Sequence, residues 1–320
     1  MLQDAVRFLR AHDDFILIAH VSPDGDTLGS SFALYGALLE LGKTAQIVCE
    51  DTVPAIYRFL PFSNRLTAPR EARPAEAVVC VDCADLGRAG ACEPLFAGAK
   101  YTLNIDHHGT NGRYAAENFV QRAGATGELI YNVLINLKLG LTRDIASCLY
   151  AAITTDTGNF SYSNTTPDTL RIAAELLDIG IDLPYLNRCL FRTVPYHKIR
   201  LHALAVTKSR LCEHGRIGIS LITQEDIRSC GATDEDAEGI IDSLRDIDTV
   251  EVAALLREGT DGLIRVSLRG KTCANVSRIA TRFGGGGHRF AAGCTLDPPI
   301  EQAGEKILAA AVELLCGEND

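Results

Sequence analysis

Three apolar runs in the first third of this chain each stop at a residue able to bind a metal. Phe15–His20 ends on His20, Glu76–Asp82 ends on Asp82, and Tyr101–Ile105 runs into Asp106-His107-His108. A further run, Thr44–Cys49, lies between the first two. Short continuous apolar runs suit strands buried on both faces, as in a parallel sheet between helices. Thr27–Leu41 carries Leu28, Phe32, Leu34, Leu38 and Leu41 and reads as a helix, and a shorter helix is expected over Ile56–Phe62. Strands alternating with helices predict an α/β fold with a mostly parallel sheet flanked by helices. In such sheets ligands collect outside the carboxyl ends of the strands. His20, Asp82, Asp106, His107 and His108 therefore share one edge, and the turn Asp24-Gly25-Asp26 follows His20 directly. Helical patterns then cover Ala125–Leu139, Arg143–Thr154 and Thr166–Ile179. Asp156 follows the apolar stretch Leu149–Ile153 and can project from a helix end into a cleft. By itself it would pass for an ordinary loop acid.

Burying several uncompensated carboxylates together is prohibitive, and divalent cations relieve the cost. The set His20, Asp24, Asp26, Asp82, Asp106, His107, His108 and Asp156 is too large for one ion. Two ions about 3.5–4 Å apart, sharing a bridging carboxylate, would use it fully. Carboxylates and imidazoles without thiolate favour Mn²⁺, with Mg²⁺ acceptable in its place, over structural zinc. Phosphoester hydrolysis is the natural chemistry of such a centre.

Leu183–Arg210 reads as a connector bearing Pro184 and Pro195, after which the pattern restarts. Strands are expected at Ile217–Ile222, Glu251–Leu256, Leu263–Leu268 and Ala292–Leu296. Helices are expected at Glu225–Cys230, Ala237–Leu244, Ala274–Phe283 and Ile300–Leu315. We read a catalytic, metal-binding domain at residues 1–190, a helical linker at 191–205, and a smaller α/β substrate-binding domain at 206–320, with a cleft between the domains. From Gly262 to Leu296 there is no Asp or Glu but six basic residues: Arg265, Arg269, Lys271, Arg278, Arg282 and Arg289. That asymmetry predicts a local anion site. The run Gly284-Gly285-Gly286-Gly287-His288 beside it would let backbone N–H groups approach an anion.

The overall net charge of −10 argues against a protein that grips long duplex nucleic acid. No apolar run approaches the ~20 residues of a membrane span. The first ten residues form an amphipathic pattern rather than a signal peptide, and eleven cysteines in such a chain read as free thiols in reducing cytoplasm. Two motifs are decoys. Gly42-Lys43-Thr44 ends a helix where a phosphate-binding loop would begin one. Cys80-Val81-Asp82-Cys83 has redox spacing but straddles a strand end and surrounds an acid wanted by metal. His12, His197, His202 and His214 have no matching acidic cluster.

His20-Val21-Ser22-Pro23-Asp24-Gly25-Asp26, Asp82, Asp106-His107-His108 and Asp156 resemble the four motifs of the DHH phosphoesterase superfamily. Gly284-Gly285-Gly286-Gly287-His288, preceded by Val266-Ser267-Leu268-Arg269, resembles its C-terminal DHH-associated domain. The resemblance spans nearly the whole chain and looks closest to the bifunctional oligoribonuclease and pAp phosphatase group (nanoRNases). It implies that His20 and Asp24 bind one Mn²⁺, that Asp26, His107 and Asp156 bind the other, and that Asp82 bridges them. It implies further that Asp106 orients the histidines and that His108 faces the scissile phosphate. Arg88 would touch substrate phosphate, and Arg269, the glycines Gly285, Gly286 and Gly287, and His288 would hold the far end of the nucleotide. Gly270 stands where related sequences often carry a hydroxyl residue. The expected partners are short oligonucleotides or pAp, with no membrane and with room for a homodimer. Rival readings are a phosphodiesterase for pApA or cyclic di-AMP and a non-catalytic nucleotide-sensing module.

Overall fold

The computed structural model describes residues 1–317, which form two compact units, residues 1–193 and residues 194 onward. In the first unit six strands make a parallel sheet: β1 Asp14–Ala19, β2 Thr44–Val48, β3 Leu66–Thr67, β4 Ala77–Val81, β5 Tyr101–Asp106 and β6 Glu117–Val120. Their spatial order is β3-β2-β1-β4-β5-β6. The strands are apolar at consecutive positions because both faces are covered. Phe15 and Leu17 of β1, with Val79 and Val81 of β4, pack into a core under the helices. Ile16 and Ile18, with Val78 and Cys80, enter a second core on the opposite face. Each side chain is thus assigned a core by the two-residue period of the strand.

The helix Gly25–Glu40 is buried on every side from Gly25 to Leu38. It therefore reads as apolar or small all round rather than amphipathic. Its closest neighbour is the helix Arg143–Asp156. A Cβ on Gly29 would lie 2.5 Å from the carbonyl oxygen of Cys148, and one on Gly25 would lie 2.3 Å from Oγ1 of Thr155. Glycine at these two positions lets the helices approach closely, backbone to backbone at Gly29 and backbone to the Thr155 side chain at Gly25. That contact sets the start of one helix, with Asp24 and Asp26, beside the end of the other, with Asp156.

The second unit carries a mixed sheet of order β11-β12-β10-β9-β8-β7, from β7 Arg210–Cys212, β8 Ile217–Ile222, β9 Val252–Glu258, β10 Ile264–Gly270, β11 Gly286–His288 and β12 Ala291–Leu296. One face, with Ile217, Val252, Ile264, Val266 and Leu268, packs on the helices Ser277–Arg282 and Ile300–Gly317. Leu201 and Ala205 of the helix Tyr196–Lys208 pack with Ala253 and Leu255 on the other face.

Several local expectations change. The short edge strands β3, β6 and β7 carry no apolar run long enough to announce them. Ile56–Phe62 holds only a 3₁₀ turn, Ala55–Tyr57. The helix expected at Ala237–Leu244 is broken by Gly239, φ 90°, into the turn Asp234–Ala237 and the helix Ile240–Arg245. Ala274–Phe283 is helical only over Ser277–Arg282. The end of the glycine run, for which no strand is expected, pairs with β12. Among the described residues no helix is long and apolar enough to cross a membrane.

Candidate metal centre

The carboxyl ends of β1, β4 and β5 deliver His20, Asp82 and Asp106 to one edge, where the two touching helices add Asp24, Asp26 and Asp156. His20, Asp26, Asp82 and Asp106 are no more than 2% exposed. Three carboxylates with almost no access to water, in one site, need positive charge or many donors.

Asp82 stands at the centre. β4 stops one residue before it, and its backbone takes the left-handed region, φ 61°, a conformation aspartate tolerates better than most residues. The turn aims its carboxylate in two directions. Oδ2 lies 3.5 Å from Nε2 of His20, and that same nitrogen is 3.6 Å from Oδ1 of Asp24. Oδ1 lies 3.6 Å from Nε2 of His107. Nε2 of His107 in turn is 3.8 Å from Asp26 Oδ2 and 3.6 Å from Asp156 Oδ2. Two ligand sets result, His20–Asp24–Asp82 and Asp26–His107–Asp156, and the ligand atoms within each lie within 4.8 Å of one another. Asp82, His107 and His108 make a third, overlapping group. Among the described residues, groups of three such side chains occur only here.

The supporting contacts leave the ligand atoms facing inward. His20 Nδ1 lies 2.8 Å from the Val21 carbonyl oxygen and 2.8 Å from Nη2 of Arg88, contacts that fix the ring and leave Nε2 toward the acids. His107 Nδ1 is 3.2 Å from the Ala123 carbonyl and is fixed in the same way. Asp24 caps its own helix, accepting from the N–H groups of Asp26 and Thr27. Asp26 accepts from the N–H groups of Thr126 and Gly127, at 2.6 and 3.0 Å, where the helix Thr126–Asn136 begins. The positive end of that helix offsets part of its buried charge.

Charge is not fully balanced. Burial, then the carboxylates of Asp82, Asp156 and Asp24, push Asp26 well above the ordinary carboxylate range. Burial, together with Asp82 and Asp24 and against the opposing pull of His107, brings Asp156 to about 6. Burial would lower His20, but its bonds to Asp24 and Asp82 outweigh that and raise it to about 9. The edge is short of positive charge, and divalent cations among these oxygen and imidazole donors would supply it.

Asp106 has a narrower task than expected. Its Oδ1 is 2.7 Å from Nδ1 of His108 and its Oδ2 accepts from Asn111 at 2.6 Å. It orients His108 alone, while His107 depends on Ala123. The pairing turns Nε2 of the partly exposed His108 away from Asp106, and the bond to Asp106, against burial, raises the imidazole above its usual pKa. Arg88 reaches His20, its Nη2 2.8 Å from Nδ1, and its buried Nε has no partner among the described atoms. Cys80 and Cys83, flanking Asp82, are wholly buried.

In the second unit Arg269 and His288 both stand opposite Ala291, from the two strands that flank β12, so they share one face of the sheet. Arg269 donates to the Leu268 carbonyl and lies 3.6 Å from Asp242, beside a cavity of about 470 Å³. A Cβ on Gly285 would meet the Gly293 carbonyl oxygen at 2.1 Å, and one on Gly287, φ 140°, would meet that of Ala291 at 2.5 Å. These two glycines are needed to seat the chain against β12, and Gly286 faces open space. Four of the other five basic residues are engaged elsewhere: Lys271 caps the carbonyls of Ile247 and Asp248, Arg265 pairs with Asp261, Arg282 with Glu313, and Arg289 donates to Cys273.

Sequence reasoning missed Thr126, Gly127, Ala123 and Asn164. The one signal, for Thr126 and Gly127 alone, was the run Gly124-Ala125-Thr126-Gly127, small residues where an apolar helix begins.

Residues 14–153 match the DHH family, N-terminal domain, and residues 221–316 match the DHHA1 domain. Over 312 residues the chain is 36% identical to the bifunctional oligoribonuclease and PAP phosphatase NrnA of Thermus thermophilus, covering 96% of this chain and 92% of the relative. It is 30% identical to the probable bifunctional oligoribonuclease and PAP phosphatase NrnA of Streptococcus mutans, covering 89% and 90%. The crystal structure of an exopolyphosphatase-related protein from Bacteroides fragilis matches with a TM-score of 0.89 at 25% identity, over 98% of this chain and 95% of that one.

Proposed function

The chain belongs to the DHH family of phosphoesterases, and from that premise we propose that it hydrolyses short oligoribonucleotides to nucleoside 5′-monophosphates and removes the 3′-phosphate of pAp, using two Mn²⁺ ions. DHH phosphoesterases depend on metal. His20 and Asp24 would hold one ion, Asp26, His107 and Asp156 would hold the other, and Asp82 would serve both. The observation that carries this reading is the division of Asp82, whose two oxygens face two different ligand sets. Bound divalent ions supply Lewis acidity to a phosphoryl oxygen and make a hydroxide available near neutral pH.

The remaining work falls to side chains. His108, held by Asp106, donates from Nε2 to the phosphate under attack, and the bond to Asp106, which raises its pKa, favours the charged ring that this requires. Arg88 binds a substrate phosphate with the guanidinium that now rests on His20. In the second unit Arg269, Gly285, Gly286, Gly287 and His288 hold the distant phosphate or base, with Gly286 giving the backbone an open approach.

The test is a substrate panel with Mn²⁺: pAp, pApA, cyclic di-AMP, and ribonucleotides of two to five units. Cleavage of the short ribonucleotides and of pAp, lost in Asp82→Ala, is the expected result. Turnover confined to pApA or cyclic di-AMP would replace the substrate assignment. Binding of nucleotide without turnover of any of them would make the protein a sensor.

A further inference from the structure

One five-residue segment, 123–127, bonds to His107 and Asp26 of the second ligand set and to the shared aspartate, and reaches Asp156 through Asn164. The Ala123 carbonyl accepts from His107. Gly124 offers its carbonyl to Nδ2 of Asn164, which also donates to the Asp156 carbonyl at 3.1 Å. The N–H groups of Thr126 and Gly127 both donate to Asp26. The Thr126 hydroxyl donates to Oδ1 of Asp82 at 2.7 Å. His20 and Asp24 receive nothing from this segment in the contacts described above.

The last of these bonds has a particular consequence. A carboxylate between two ions can bridge them, one oxygen to each, or it can turn about its Cβ–Cγ bond and present both oxygens to one ion. Asp82 is attached to a strand end in the left-handed region, and the backbone does not fix that final rotation. Thr126 is fully buried at the first turn of its helix, so its hydroxyl is a rigid donor. It occupies one lone pair of Oδ1 and holds the carboxylate plane so that Oδ1 faces His107 while Oδ2 faces His20. We propose that Thr126 is a positioning residue that enforces the bridging mode of Asp82, making the two metal positions interdependent. The proposal rests on the two-ion reading given above.

The experiment uses the full chain, stripped of metal and titrated with Mn²⁺ by calorimetry, with electron paramagnetic resonance of the loaded protein. Wild type should take up two ions per chain and show the signal of a coupled pair. Thr126→Val keeps the volume and removes the donor. It should weaken the second ion by about 10- to 100-fold, the usual effect of losing a partner behind a ligand, and give the signal of separate ions. Thr126→Ser restores the hydroxyl and should restore both readouts, which a purely structural role for the side chain would not require. Thr126→Ala carries the same expectation as valine and decides the question should the valine variant not fold. Two coupled ions in the valine or alanine variant, bound as tightly as in wild type, overturn the role of Thr126 and leave the two-ion reading intact. A wild-type chain that takes up fewer than two ions overturns both.

Discussion

The strand-end edge of the first unit and the arginine-bearing face of the second are held in opposite ways. At the edge, His20, Asp26 and Asp82 are buried, and the partners of the set are mostly backbone: Val21 and Ala123 carbonyls for the histidines, helix N–H groups for Asp24 and Asp26. On the sheet face, Arg269 rests on one carbonyl and on Asp242 at 3.6 Å, and His288 is exposed on a short edge strand. A compact dication demands oxygens and nitrogens fixed before it arrives, because reorganising buried charge is expensive. A nucleotide phosphate or base tolerates a mobile partner, and a long cationic side chain with an acid to lean on provides one.

If the contrast is sound, variants at the two places should fail differently. The largest effect belongs to Asp82→Ala. Removing the group shared by both ligand sets should lower turnover by about 10³-fold or more on every substrate, since several kcal/mol of charge stabilisation is lost. Normal turnover in that variant would break the comparison at its centre. Next comes Asp106→Asn. The imidazole of His108 loses its charged partner, so kcat should fall by about 10²-fold, within the range for a displaced proton donor. The number of bound ions, read by calorimetry, should stay unchanged, because Asp106 faces only His108 and Asn111.

Metal removal sharpens the contrast without any mutation. Mn²⁺ at about 100 times its Kd should stabilise the first unit by about 2.7 kcal/mol per ion, about 5 kcal/mol for two, raising its unfolding transition by roughly 10–20 °C. A chelator should reverse that shift and leave the transition of the second unit where it was, as scanning calorimetry would reveal. A smaller effect is expected from Arg269→Ala: KM up by about tenfold with kcat held, the result of losing binding common to ground and transition states. Smallest is His288→Ala, with KM raised by about fivefold, the value of one modest hydrogen bond. A fall in kcat in either variant would mean that the second unit takes part in the chemistry itself.

Much of the site could be read from the chain because strand periodicity is local. An apolar run buried on both faces shows in five or six consecutive residues, and the residue after it must emerge at the sheet edge. His20, Asp82 and Asp106-His107-His108 were found in that way, and the edge does gather them. The basic window in the second unit is less directly legible, for the complementary reason. Its lack of acids is a property of residues 262–296, but Arg265 and Arg282 are neutralised by Asp261 and Glu313 from outside it. The edge strands β3, β6 and β7 escaped notice because they are short and flanked on one side only.

By itself, the sequence determined the alternation of strands and helices, the parallel sheet, and the residues at its carboxyl edge, since each depends on neighbours a few positions apart. Only the tertiary structure decided which way the ligand atoms face and what holds them. The contacts Thr126 to Asp26, 100 positions apart, and Thr126 to Asp82, 44 apart, have no local signature. They exist because the helix Thr126–Asn136 packs against the helix Gly25–Glu40 and starts beside the strand end that carries Asp82, and such closeness arises only once the whole core has packed.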